Sequence, residues 1–167
     1  MIDLDVNDSL QVRQQFFKEL EKYFNLNYPE FTITNKKVEW FAISRKHDLP
    51  ISKIMVNARV EDGHLHDISV FIPGKTAKII FDELFMQKER LESFVGHPLC
   101  FDRNNNKDAA RIGQFSKYST KLDASAVAIN KDALLNFDLK VEQVAKELVK
   151  LYDVFMPKVT RIVNTSL

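Results

Sequence analysis

The sequence predicts a single α+β domain in which a mostly antiparallel sheet carries its helices on one face. Apolar residues recur at helical spacing near both ends of the chain and once between them. The segments separating those stripes alternate apolar and polar residues, as half-buried strands do. The connections are too short for the crossovers of a doubly wound parallel sheet.

The chain has 167 residues, which fits one domain spanning 1–167 and is enough to bury a full core without disulfides or metals. Hydrophobic residues make up 45% and charged residues 28%, a globular rather than a disordered profile. With 13 phenylalanines and one tryptophan, the core draws its aromatic volume mainly from phenylalanine.

The first helix is predicted over Ser9–Leu26, capped by Asn7 or Asp8, with Leu10, Phe16, Phe17, Leu20, Tyr23 and Phe24 on its apolar face and Pro29 at its exit. Three extended segments follow, Val38–Ser44, Ile51–Val60 and His66–Ile72. The last two form a hairpin around Asp62-Gly63. A two-residue loop there pairs Glu61 with His64 and sends the two apolar sets to opposite faces. A three-residue loop, Asp62-Gly63-His64, brings them together, so burial selects the odd loop.

A second helix is expected over Thr76–Val95, with Gly96 at its C-terminus and Pro98 beyond. Leu99–Asp102 and Ala110–Ser116 read as strands, joined by a polar turn. Within Tyr118–Phe137, Ala126–Ile129 is a candidate short strand. The final helix starts near Asp138, and Pro157 kinks or ends it. The predicted order is α-β-β-β-α-β-β-α.

Charge leaves recognition of polyanions to a local basic patch. Lys plus Arg total 24 and Asp plus Glu 23, so no global field draws the protein to nucleic acid or an anionic membrane. No apolar stretch approaches the roughly 20 residues that span a bilayer. The acidic start, Met1-Ile2-Asp3-Leu4-Asp5, lacks the features of a signal peptide, so the expected compartment is the cytoplasm. Cys100, the only cysteine, excludes an internal disulfide and a cysteine zinc cage, and reads as a buried strand thiol.

The chemical motifs are incomplete. Gly74-Lys75-Thr76 lies between strand and helix like a P-loop, but Ser69 stands where the upstream glycine is needed. His64-Leu65-His66 lacks a third metal ligand, and His47 and His97 read as solvated. No Glu-x-Lys occurs, and no glycine-framed nucleophile is present. No catalytic residue, metal or cofactor is assigned.

The outer sheet face carries the better signal. Met55, Asn57 and Arg59 point outward with Asp67, Ser69 and Phe71, and the odd loop sets Arg59 against Asp67. If Phe41 and Ile43 take the core side, Trp40 joins Arg59 outside. Such a face can stack bases and hold phosphates. It can equally be covered by a partner subunit or by the 118–137 segment, with Met55 and Phe71 at the interface. Arg45, Lys46, Arg103, Lys107 and Arg111 lie in or beside turns and extend the candidate binding surface.

From Phe81 onward the chain resembles a bacterial and archaeal family catalogued as domain of unknown function 4268. The resemblance rests on Phe81-Asp82-Glu83-Leu84, Gln87-Lys88-Glu89, Leu91, Gly96, Pro98-Leu99-Cys100-Phe101-Asp102-Arg103, Ala110-Arg111-Ile112 and Leu151-Tyr152-Asp153-Val154-Phe155-Met156-Pro157-Lys158. Phe101 or Cys100 replaces a tryptophan usual in that short strand. The resemblance implies a role near DNA processing or defence and carries over no catalytic residue. It marks Arg103 and Arg111 as candidate contacts, although Arg111 can instead pair with Asp102. The leading expectation is a non-catalytic binding module acting with nucleic acid or a nucleic-acid-processing enzyme. The alternatives are a homo-oligomeric or adaptor domain, and an enzyme with an unrecognised site.

Overall fold

The computed structural model describes residues 6–35, 39–51, 53–61, 64–114, 120–121 and 131–166. In chain order they form α1 (Val6–Asn27), β1 (Phe31–Asn35), β2 (Trp40–Arg45), β3 (Met55–Glu61), β4 (His64–Pro73), α2 (Ala77–Phe85), α3 (Lys88–Val95), β5 (Cys100–Asp102), β6 (Ala109–Gln114), β7 (Thr120–Lys121) and α4 (Lys131–Ser166). The strands lie in the order β1-β2-β3-β4-β6-β5, with β7 pairing the start of β4. Every described pairing is antiparallel. The α+β class holds.

One face of the sheet supplies the core. Phe41, Val56, Val70, Ile72 and Ile112 are fully buried there, with Phe16 and Phe24 of α1, Leu84 of α2, Leu91 of α3 and Leu148 and Phe155 of α4. Each such side chain contributes about 1.5–3 kcal/mol by leaving water, so this face holds the helices in place. Phe41 and Ile43 take the core side, which sends Trp40 to the other face.

The structure corrects several expectations. The segment after Pro29 forms an additional edge strand, β1, paired with β2 from Phe31↔Arg45 to Asn35↔Ala42. In the β3–β4 hairpin, Glu61 does pair with His64, the pairing of a two-residue connection. The apolar sets nevertheless share a face, because a bulge intervenes: Val60 pairs with Leu65, Arg59 pairs with Asp67, and His66 is the extra residue. The Glu61–His64 pairing and a shared apolar face thus coexist at the cost of one local irregularity.

The helix expected over 76–95 is two helices, broken at Met86 and Gln87. An unbroken helix would carry the Ala77–Ile80–Phe81–Leu84 stripe onto Lys88. The break leaves the Lys88 ammonium 5.9 Å from the Phe85 ring and 5.7 Å from the Phe101 ring, while Leu91 and Val95 still reach the core. Gly96 ends α3 as expected, at φ 94° in the left-handed region.

The last helix begins at Lys131, earlier than Asp138, and runs through Pro157 to Ser166. Proline in a helix interior costs about 3 kcal/mol. Leu151, Phe155, Val159 and Ile162 continue the buried stripe across it without a phase change, and their burial outweighs that cost. The candidate strand at Ala126–Ile129 lies outside the described residues. Cys100 is only half-buried.

Candidate functional site on the outer sheet face

Three rows of side chains cross the outer face. The central row is Ala42, Asn57, Ser69, Gly113 and Cys100, one residue from each of five neighbouring strands. All but Asn57 are small. On one side runs Trp40–Arg59–Asp67; on the other runs Met55–Phe71–Arg111–Asp102. The pattern makes a trench of small residues between two rows of large ones.

Gly113 is required there. A Cβ at this position would lie 2.2 Å from the Ile68 carbonyl oxygen and 2.7 Å from Ser69 Cα. These are backbone atoms that cannot turn aside, so only glycine lets β6 sit this close to β4.

Two rings roof the trench. The Trp40 and Phe71 ring centroids are 6.4 Å apart and their planes differ by 33°. Beneath, Ala42, Asn57 and Ser69 are wholly buried, whereas Trp40 and Phe71 remain half-buried. Each ring has an arginine as its direct cross-strand or neighbouring-strand partner. The Arg59 guanidinium lies over the Trp40 ring at 5.6 Å, and Arg111 is paired in register with Phe71.

Both arginines converge on Asp67. Arg59 Nε donates to Asp67 Oδ2 at 3.0 Å, Arg111 donates to the same oxygen at 3.1 Å, and Ser69 Oγ donates to Oδ1 at 3.3 Å. Arg59 also lies 3.5 Å from the Glu61 carboxylate. The Asp67 side chain is 1% exposed. Burial pushes its carboxyl above the ordinary aspartate value, and Arg111 and Arg59 pull in the opposite direction.

Asn57 is the anomaly of the face. Its carboxamide is fully buried, and neither its nitrogen nor its oxygen has a hydrogen-bond partner among the described residues. Buried amides are ordinarily satisfied, since an orphaned one costs about 1–3 kcal/mol.

The structure thus gathers five of the expected residues, Trp40, Met55, Arg59, Phe71 and Arg111, on one face. Arg111 meets Asp67 from the neighbouring strand. The other basic candidates lie elsewhere. Arg45 turns to the helix side, where it donates to Asp153 at 2.8 and 3.1 Å and lies over the Phe31 ring. Arg103 grips Asp82 of α2 through two bonds of 2.9 and 3.1 Å. Lys46 and Lys107 stand exposed in turns.

The rejected motifs keep structural tasks. Gly74 N–H donates to the Asp108 carbonyl at 2.7 Å, so the turn before α2 joins the β5–β6 loop. That loop is plugged by the Lys78 ammonium, which donates to the carbonyls of Arg103, Asn104 and Ala109. His97 is not simply solvated, since its Nε2 lies 2.7 Å from Glu147 and its Nδ1 2.8 Å from the Pro98 carbonyl. Among the described residues, no group of three His, Cys, Asp or Glu is placed to hold a metal ion. No described helix is long and apolar enough to cross a membrane.

A second concave region lies between the β2–β3 connection and α4, with a volume of about 790 Å³, and Asp48, Leu49, Tyr152 and Met156 among its lining. The Tyr152 hydroxyl donates to Asp48 at 2.7 Å and lies 3.2 Å from Ser44 Oγ, tying the connection to the helix. Compared with known proteins, the chain matches no family model, no curated protein and no solved structure.

Proposed function

We propose that this chain is a non-catalytic binding module whose outer sheet face takes single-stranded nucleic acid. The observation that carries this reading is the Trp40–Phe71 ring pair flanked by Arg59 and Arg111. Aromatic rings on a sheet surface stack bases, and guanidinium groups beside them neutralise phosphates. The role near DNA processing or defence that the resemblance of residues 81–158 implies is in keeping with this reading.

The test is fluorescence anisotropy of labelled single strands of DNA and RNA, titrated at several salt concentrations. Two arginines at the face imply two phosphate contacts, and a single strand loses affinity with a log–log slope of about −0.7 per contact. The expected slope is therefore shallow, about −1.4. Trp40→Ala should cost about 1–3 kcal/mol of affinity through the lost stack. Absence of binding to every strand at low salt would overturn the proposal.

A second reading, a protein-binding adaptor, draws on a different surface. At the α2–α3 break, Phe85 and Met86 are exposed, Met86 to 81%. Apolar side chains gathered on a surface mark protein contacts.

A further inference from the structure

The geometry points to a closed slot for one nucleobase between Trp40 and Phe71, with the Asn57 carboxamide at its floor holding the base edge. This rests on the proposed nucleic-acid face and names the chemistry of its central subsite.

Consider first the size of the opening. A base held between two rings needs a centroid spacing of roughly 7–8 Å, twice the optimal contact between carbon atoms. Trp40 and Phe71 already stand 6.4 Å apart and 33° from parallel. An opening of about 1 Å and a modest rotation of the half-buried Trp40 complete the sandwich. Among the described residues, each ring gives up the other as its aromatic partner across the trench and regains a base face in its place.

The floor supplies recognition. In the central row, Ala42 offers a methyl group, Gly113 has no side chain, and the Ser69 hydroxyl is already given to Asp67. In that row Asn57 brings the hydrogen-bonding capacity, with both ends of its amide buried and unpartnered among the described residues. A carboxamide presents a donor and an acceptor side by side. The matching edge is an acceptor next to a donor, which every base offers on an exposed edge, so Asn57 anchors the base, and the larger face of adenine stacks more fully between the rings than a pyrimidine does. At the rim, Arg59 and Arg111 hold Asp67 yet keep 22% and 28% exposure, so each guanidinium can turn toward the phosphate of the bound nucleotide.

Trp40 is the only tryptophan, so tryptophan emission, excited selectively over the four tyrosines, reports on this slot. The experiment titrates the full chain with AMP, UMP and CMP, and separately with short A-only and U-only strands. AMP should quench Trp40 at about tenfold lower concentration than UMP, through its larger stacking face, and the A-only strand should bind correspondingly tighter. Asn57→Leu, of similar volume, should weaken quenching by every nucleotide about tenfold through the lost amide pair, while strands of both kinds still bind. Equal quenching by all nucleotides, or an unchanged AMP affinity in Asn57→Leu, overturns the slot.

The two readings separate cleanly. Strands that bind without base preference, with no quenching by AMP, remove the slot and leave the face. Selective quenching by AMP with no strand binding keeps the slot and makes its ligand a free nucleotide. If neither AMP nor any strand binds, both fall, and Asn57 is satisfied by a buried water. Should circular dichroism show that Asn57→Leu does not fold, the A-over-U preference of the unaltered protein decides alone.

Discussion

Gly113→Ala is the sharpest perturbation of the outer face, because its cost follows from distances. The added methyl would sit 2.2 Å from the Ile68 carbonyl oxygen, 2.7 Å from Ser69 Cα and 2.9 Å from Ser69 Cβ. An ordinary carbon–oxygen contact is about 3.3–3.6 Å, so β6 must move away from β4 by roughly 1 Å. Ile112 and Ala110 on the same strand are locked in the core, and β5 holds the far edge. Overpacking costs about 1–3 kcal/mol when side chains can yield. Here backbone must yield, and a stretched pair of ladder bonds adds about 1 kcal/mol. The expected loss is about 3–4 kcal/mol, or roughly 10 °C in Tm for a chain of this size. Urea unfolding followed by circular dichroism measures it. Gly74→Ala serves as the comparison: that glycine has φ 97° but nothing within 4 Å of its Cβ position, so it should lose only the left-handed backbone preference, about 1–2 kcal/mol. A Gly113→Ala variant within 1 kcal/mol of the unaltered protein, or more stable than Gly74→Ala, would refute the reasoning.

Two further predictions concern titration. Burial raises the Asp67 carboxyl, so between the ordinary aspartate value and its folded value the native state holds more protons than the unfolded one. Stability from this group is then greatest below about pH 3.9 and falls as pH rises through the window. In urea titrations, the advantage of the unaltered protein over Asp67→Asn should shrink from acid to neutral pH; a widening gap would mean that the arginines prevail over desolvation. At neutral pH the loss in Asp67→Asn should stay below about 2 kcal/mol, short of the 3–5 kcal/mol of a fully buried pair, because Arg59 and Arg111 keep 22% and 28% exposure and can rehydrate. Burial also raises the Tyr152 hydroxyl, which donates to Asp48. Tyr152→Phe should cost about 1.5–3 kcal/mol at neutral pH. Native stability falls as pH climbs past 10 toward the folded value, so the gap to this variant should narrow in that range; a constant gap between pH 8 and 11 would contradict the assignment.

Much of the fold is written in local periodicity, and the outer face inherits that legibility. Alternation in β3 and β4 sets Arg59 against Asp67, and the phase of β2 sends Trp40 to the same side. The hairpin turn was harder, because turn chemistry and burial demand loops of different parity and only a bulge at His66 satisfies both. The break between α2 and α3 did carry a signal: Lys88 falls on the apolar stripe of a continuous helix. β1 is short and offers only Phe31 and Ile33 to the core side. The significance of Asn57 could not be read locally. Its outward phase is visible, but its lack of partners depends on Ala42, Ser69 and Gly113 falling beside it, and the last of these arrives from a strand more than 40 residues away.

The placement of α4 has a consequence for how the protein is made. All six long-path strands are complete once Gln114 has been synthesised, but the strip of β3 and β4 that α4 covers stays bare until residues 148–162 have followed. At about 5–20 residues per second, that interval lasts roughly 2–10 s. Throughout it the nascent chain presents Val56, Val70 and neighbouring residues as an uncovered apolar band. Such exposed apolar surface is prone to aggregate, and docking of α4 is what removes it.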